Sequence, residues 1–102
     1  MVHSIWIVLW FDKMASSFDV VWNRIRQHKG ETFTTIRGLS FSYSILGNWV
    51  VISDTDFRVT KSSFENAYHE LPVESPDGFG VDVQGKYFIY AILLDKRIIK
   101  NQ

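Results

Sequence analysis

The stretch Phe41-Ser42-Tyr43-Ser44-Ile45-Leu46-Gly47-Asn48-Trp49-Val50-Val51-Ile52 decides the fold of this chain. Gly47-Asn48 suits a two-residue hairpin loop, whose central positions favour residues that tolerate positive φ. With the loop placed there, Ile45 faces Val50 and Tyr43 faces Ile52, because loop length sets hairpin register. Side chains alternate along a strand, so Phe41, Tyr43, Ile45, Val50 and Ile52 share one face, the expected core. The opposite face carries Ser42, Ser44, Leu46, Trp49, Val51 and Ser53. That mixture suits a surface that is solvated, half covered by another segment, or used for binding. Upstream, Arg37-Gly38 supplies a second turn, and the Thr, Ser, Phe, Tyr, Ile and Val content from Thr32 to Ser53 predicts a three-stranded antiparallel meander.

Helical signals flank the meander. Phe18, Val21, Trp22 and Ile25 recur at i, i+3, i+4 and i+7, preceded by Ser16 and Ser17, with Asp19 at capping-box distance from Ser16. This helix is expected to stop near Lys29, where Gly30 can take a left-handed conformation and Arg26, His28 and Lys29 suit the negative end of the helix dipole. Downstream, Phe57-Arg58-Val59 reads as a short extended piece. Phe64, Ala67, Tyr68 and Leu71 then repeat the helical stripe, with Ser62 and Glu65 as the expected capping box and Pro72 as the terminator. Residues 72–85 hold two prolines, three glycines and three acids, and read as a loop. Tyr87 to Leu94 is apolar on all sides and fits a helix or a buried strand, with Ala91 and the flanking Asp95-Lys96-Arg97 favouring helix. The fold class is therefore α+β: helix, three strands, helix and a C-terminal apolar segment, with one layer of helices on a small sheet.

At 102 residues with 46% apolar content, the chain has the size and apolar surface of one domain. Eleven basic residues balance eleven acidic ones, so the whole-molecule field does not draw in polyanions. The absence of cysteine removes disulfides, thiolate metal sites and a Cys nucleophile, and fits a reducing compartment, the cytoplasm by default. Ile5-Trp6-Ile7-Val8-Leu9-Trp10-Phe11 is far shorter than the roughly 20 residues of a spanning helix, so no membrane is expected as a partner. Residues 1–13 read either as an apolar strand or as a non-native extension before a start at Met14, with residues 14–102 forming the domain.

Charge is segregated along the chain. Residues 20–40 carry Arg24, Arg26, Lys29 and Arg37 against Glu31, whereas residues 54–82 carry Asp54, Asp56, Glu65, Glu70, Glu74, Asp77 and Asp82 against Arg58 and Lys61. Two readings stand side by side. In one, Arg24, Arg26, Lys29 and Arg37, joined by the C-terminal Lys96-Arg97, form a patch that contacts the phosphates of DNA or RNA, with Trp49 or Phe33 near it to stack a base. In the other, they are solvated helix and turn residues, some paired with the acidic segment. Four Trp, four Tyr and eight Phe exceed what one small core holds, and Trp6, Trp10, Phe11, Trp49, Tyr87 and Tyr90 suggest a second buried layer or a homo-oligomeric interface.

The order helix, three strands, helix resembles the double-stranded-RNA-binding domain in topology. That family places a lysine-rich run at the start of its second helix, where this chain has Thr60-Lys61-Ser62-Ser63 followed by Glu65, so no binding residues are carried over. Pro76-Asp77 followed by Gln84-Gly85-Lys86 looks like a variant of the metal-dependent nuclease arrangement, with Asp82 as an additional ligand. It requires a hairpin that brings Asp77 beside Gln84 and Lys86. His3, His28 and His69 are too widely spaced for a local metal motif, and no phosphate loop, dinucleotide fingerprint or serine-nucleophile motif occurs, so no cofactor is expected. The leading expectation is a small non-enzymatic binding module associated with nucleic acid. The alternatives are a protein-interaction or self-assembling module using aromatics and the acidic segment, and a metal-dependent nuclease.

Overall fold

The computed structural model describes residues 17–99, so the apolar run at residues 5–11, the boundary at Met14 and the capping role expected of Ser16 lie outside the described residues. In chain order the elements are α1 (Phe18–Gln27), β1 (Phe33–Thr34), β2 (Ser40–Phe41), β3 (Tyr43–Leu46), β4 (Trp49–Ile52), β5 (Arg58–Thr60), α2 (Lys61–Glu70), a 3-10 turn (Pro76–Gly78) and α3 (Lys86–Leu93). The class is α+β, as the alternation and the helical stripes imply.

The meander folds in the register that the Gly47-Asn48 loop dictates: Tyr43 opposes Ile52 and Ile45 opposes Val50. Phe41, Tyr43, Val50 and Ile52 are buried and Ile45 packs against them, while Leu46 and Trp49 stand on the outer face, 58% and 41% exposed. Two features go beyond the simple meander. Its middle strand is divided at Ser42, so β1 pairs with β2 as one two-stranded unit, and β3, β4 and β5 form another. Continuity is kept by Ser53, whose N–H donates to the Ser42 carbonyl at 3.0 Å, and by the Ser42–Ser53 hydroxyl pair. The Phe57 region joins the sheet as β5, with Val50 opposite Val59.

Both helical stripes face the core as their spacing requires: Phe18, Val21, Trp22 and Ile25 from α1, and Phe64, Ala67, Tyr68 and Leu71 after them, are all buried. The N-cap of α2 is Thr60 and not Ser62. Thr60 Oγ1 accepts the Ser63 N–H at 3.0 Å, so the helix starts at Lys61, directly after β5. A threonine two residues upstream wins because β5 already holds it in the extended conformation that an N-cap needs. Ser63, now inside the first turn, is buried and accepts the Gln84 N–H at 3.3 Å. At the end of α1, Gly30 adopts φ +84° and donates its N–H to the Tyr43 carbonyl at 2.8 Å. A Cβ is disfavoured in that conformation, which explains the glycine.

The C-terminal apolar block is the helix α3. All its faces are apolar because all are used: Ile89, Ile92 and Leu93 are buried, Phe88 packs edge-on against Phe41 at 4.9 Å and beside Phe57, and Tyr90 meets Phe79 at 6.2 Å. The connection before it is ordered by its own bonds. Glu70 accepts the Gly80 N–H at 2.7 Å, Asn66 donates to the Asp82 carbonyl, Tyr90 donates to the Glu74 carbonyl, and Pro76, Phe79 and Val83 are buried. Tyr87 and Tyr90 are thus engaged within the chain, whereas Trp49 keeps an exposed ring.

One buried hydrogen bond ties helix to sheet. The Tyr43 hydroxyl donates to the Ile25 carbonyl at 2.6 Å, near the end of α1, where the Lys29 N–H turns instead to Arg26. Burial pushes the Tyr43 phenol well above its ordinary range, so it stays a donor at any physiological pH. Tyr43→Phe should cost about 1–3 kcal/mol, the price of leaving a buried carbonyl without a partner. Urea unfolding curves of the two proteins measure it, and a loss below a few tenths would show that water reaches Ile25.

Candidate functional site

An open, polar groove of about 740 Å³ runs between the C-terminal half of α1 and the tip of the β3–β4 hairpin. From α1 and the residues after it come Asn23, Arg26, Gln27 and Lys29; from the hairpin come Ile45, Gly47 and Asn48. The local chemistry explains the arrangement. The buried stripe of α1 turns Asn23, Arg26 and Gln27 outward, and the Gly30–Tyr43 backbone bond brings the helix end to the hairpin. No acidic side chain lines the groove. Arg26 and Lys29 are exposed, and neither is paired with a carboxylate among the described residues. Two cations and three amides in one concavity make a surface that accepts anions and hydrogen-bonds sugars or amides.

Arg24, Arg26, Lys29, Arg37 and Trp49, expected in one nucleic-acid patch, do not converge as one group. Arg26 and Lys29 are together in the groove. Arg24 is turned inward, donating from Nη1 to the Ile98 carbonyl at 3.0 Å. Arg37 sits in the β1–β2 turn and donates to the Tyr87 hydroxyl at 3.1 Å, outside the groove. Trp49 follows Asn48 directly, but its ring is on the outer sheet face, with the Arg58 guanidinium 6.0 Å from its centroid. Phe33 is buried and covered by Arg97, whose guanidinium is 3.9 Å from the ring centroid, so it offers no face to a base.

Arg97, expected to join the basic patch with Lys96, is instead held by partners within the chain. It donates to both oxygens of Asp95, to Glu31 Oε1 at 3.0 Å and to the Thr32 carbonyl at 2.8 Å. The His28 ring and Arg97 hold the Glu31 carboxyl below the usual range, and Arg97 does the same for Asp95. Through this network the acid within the basic segment is neutralised by a cation 66 residues away, leaving the Arg26–Lys29 pair unopposed. Nothing in the local pattern around Arg97 signals that partner.

A second polar cluster joins the 3-10 turn, α3 and the β1–β2 turn. One oxygen of Asp77 accepts from Lys86 Nζ at 2.9 Å and from the Tyr87 hydroxyl at 3.1 Å, and Arg37 closes the chain onto Tyr87. The approach of Asp77 to Lys86 that the nuclease-like spacing requires is therefore present, formed by a 3-10 turn and a helix start in place of a hairpin. It takes the form of an ion pair, and among the described residues no three His, Asp or Glu side chains are grouped to hold a metal ion. Hydrogen bonds from Lys86 and Tyr87 hold the Asp77 carboxyl below its usual range. The acidic segment is otherwise dispersed: Asp54 and Asp56 are exposed in the β4–β5 turn, Glu74 and Asp82 are exposed in the connection before α3, and Glu65 pairs with His69 along α2.

Among the described residues no helix is long and apolar enough to cross a membrane. No protein-family model, curated protein or solved structure matches this chain, so its functional reading rests on the chemistry of these clusters.

Proposed function

We propose that this chain is a small, non-enzymatic nucleic-acid-binding module of the cytoplasm, which grips the sugar–phosphate backbone of DNA or RNA in the groove at the end of α1. The observation that carries the reading is the pairing of Arg26 and Lys29 in a polar concavity that contains no carboxylate. Cations of this kind supply the sequence-independent part of nucleic-acid affinity, and the amides of Asn23, Gln27 and Asn48 offer donors and acceptors for sugar hydroxyls and base edges. Trp49, next to Asn48 on the outer sheet face, offers a partly exposed ring for an unpaired base to stack on. Arg24 and Arg37 contribute to the local potential without lining the groove.

Fluorescence anisotropy with duplex and single-stranded DNA and RNA at several salt concentrations tests the reading. Arg26→Gln with Lys29→Gln should weaken binding and reduce the slope of log K against log salt by about 1.4 to 1.8, the value of two phosphate contacts. Binding that ignores salt, or a double variant that binds like its parent, would remove the proposal. A second reading is supported by the outer face of the sheet, where Leu46 and Trp49 are exposed side by side: a protein partner or a second copy of the chain. Light scattering on the same samples reads the self-association form directly.

A further inference from the structure

The second polar cluster has the composition of an oxyanion site whose acceptor is supplied by the chain itself. Asp77 places one carboxylate oxygen between Lys86 Nζ and the Tyr87 hydroxyl, at 2.9 and 3.1 Å. Arg37 lies over the same tyrosine, its guanidinium 4.7 Å from the ring centroid, and Lys86 lies 5.6 Å from that centroid. One cation and a phenol thus converge on one oxygen, and a second cation, Arg37, is held beside them by its bond to the phenol, while Asp77 brings a single negative charge. Arg37 has no carboxylate of its own among the described residues: its bond goes to the tyrosine oxygen.

We propose that Arg37, Lys86 and Tyr87 form a binding site for a phosphate monoester, in which the phosphate takes the place now held by the Asp77 carboxylate. A monoester dianion matches the two cations in charge and offers three terminal oxygens, one for each donor side chain. A phosphodiester brings only one charge, no more than Asp77 already supplies. The exchange is mechanically cheap. The Asp77 side chain is 65% exposed, and an ion pair so open to water contributes little to stability. Arg37 sits in the exposed β1–β2 turn, so neither it nor Asp77 must leave the core to admit a ligand. This site is separate from the α1 groove and does not depend on the reading given for it.

The test is an amide and arginine side-chain NMR titration of the full chain with inorganic phosphate and with thymidine monophosphate. Saturable shifts confined to residues 37, 77, 86 and 87 are expected. Asp77→Asn removes the competing charge and should tighten phosphate binding about fivefold, while Arg37→Ala should abolish saturation and Tyr87→Phe should weaken it. Because all three positions are at the surface, a dispersed spectrum for each variant shows that the fold is intact. The proposal is overturned if phosphate produces no saturable shift at these residues, or if Asp77→Asn leaves the affinity unchanged or weaker. A short oligothymidine with and without a terminal phosphate distinguishes the source. Tighter binding of the phosphorylated oligomer than of thymidine monophosphate assigns the site to a nucleic-acid end, and equal binding assigns it to a free phosphomonoester.

Discussion

Phe64→Ala is expected to remove about 3–5 kcal/mol from the unfolding free energy, the usual cost of emptying an aromatic site in a packed core. Phe64 has no exposed surface and its ring centroid is 6.0 Å from that of Trp22, so it is the contact through which α2 meets α1. Trp22 in turn packs on Phe18, and Phe18 on Tyr68, completing a chain of four aromatic side chains, two from each helix. Loss of one member leaves the others with no atoms to relax onto, because Ala67 and Val21 beside them are also fully packed. For a domain whose total stability is about 5–15 kcal/mol, the loss is a large part of the whole. Urea titration followed by the fluorescence of buried Trp22 measures it, and a change under about 1 kcal/mol would mean that the two helices are not closely packed.

Gly85→Ala should cost about 2–4 kcal/mol, from two sources that can be separated. Gly85 has φ +84°, and a Cβ there would sit 2.8 Å from Phe57 Cε2 and 2.9 Å from Val59 Cγ2. Val59 is buried within β5 and cannot give way, so α3 or the strand must shift. Gly38 supplies the comparison: its φ is +90°, yet a Cβ would meet nothing within 4 Å. Gly38→Ala therefore carries only the backbone cost, about 1–2 kcal/mol. Equal losses at the two positions would show that the close approach of β5 to the start of α3 is not a constraint.

The parts of the fold that could be read from the sequence are those governed by neighbours in the chain. Hairpin register followed from two residues, Gly47 and Asn48, together with alternation on either side. The stripes of α1 and α2 followed from spacing alone. Where local signals competed, the outcome depended on the tertiary setting: Thr60 displaced Ser62 as a cap because β5 had already extended it, and the block from Tyr87 became helical because every one of its faces finds a partner. The candidate site was legible only in part. Arg26 and Lys29 are one turn apart on α1 and its continuation, so their proximity is a property of helix geometry. The removal of Arg24 to Ile98 and of Arg37 to Tyr87 depends on contacts across 74 and 50 residues, which no pattern of charge along the chain encodes.

The same long-range ties set a schedule. Ile98 is fully buried, Arg24 is bound to its carbonyl, and Arg97 is the residue that neutralises Glu31 and roofs Phe33. During translation at about 5–20 residues per second, α1 is made roughly 4–15 s before the residues that close over it. Until α2 is made, the apolar stripe of Phe18 and Trp22 lacks Phe64 and Tyr68, the aromatic partners that cover it. The domain is thus expected to complete its core only once Arg97 and Ile98 are available to close over Phe33 and Arg24.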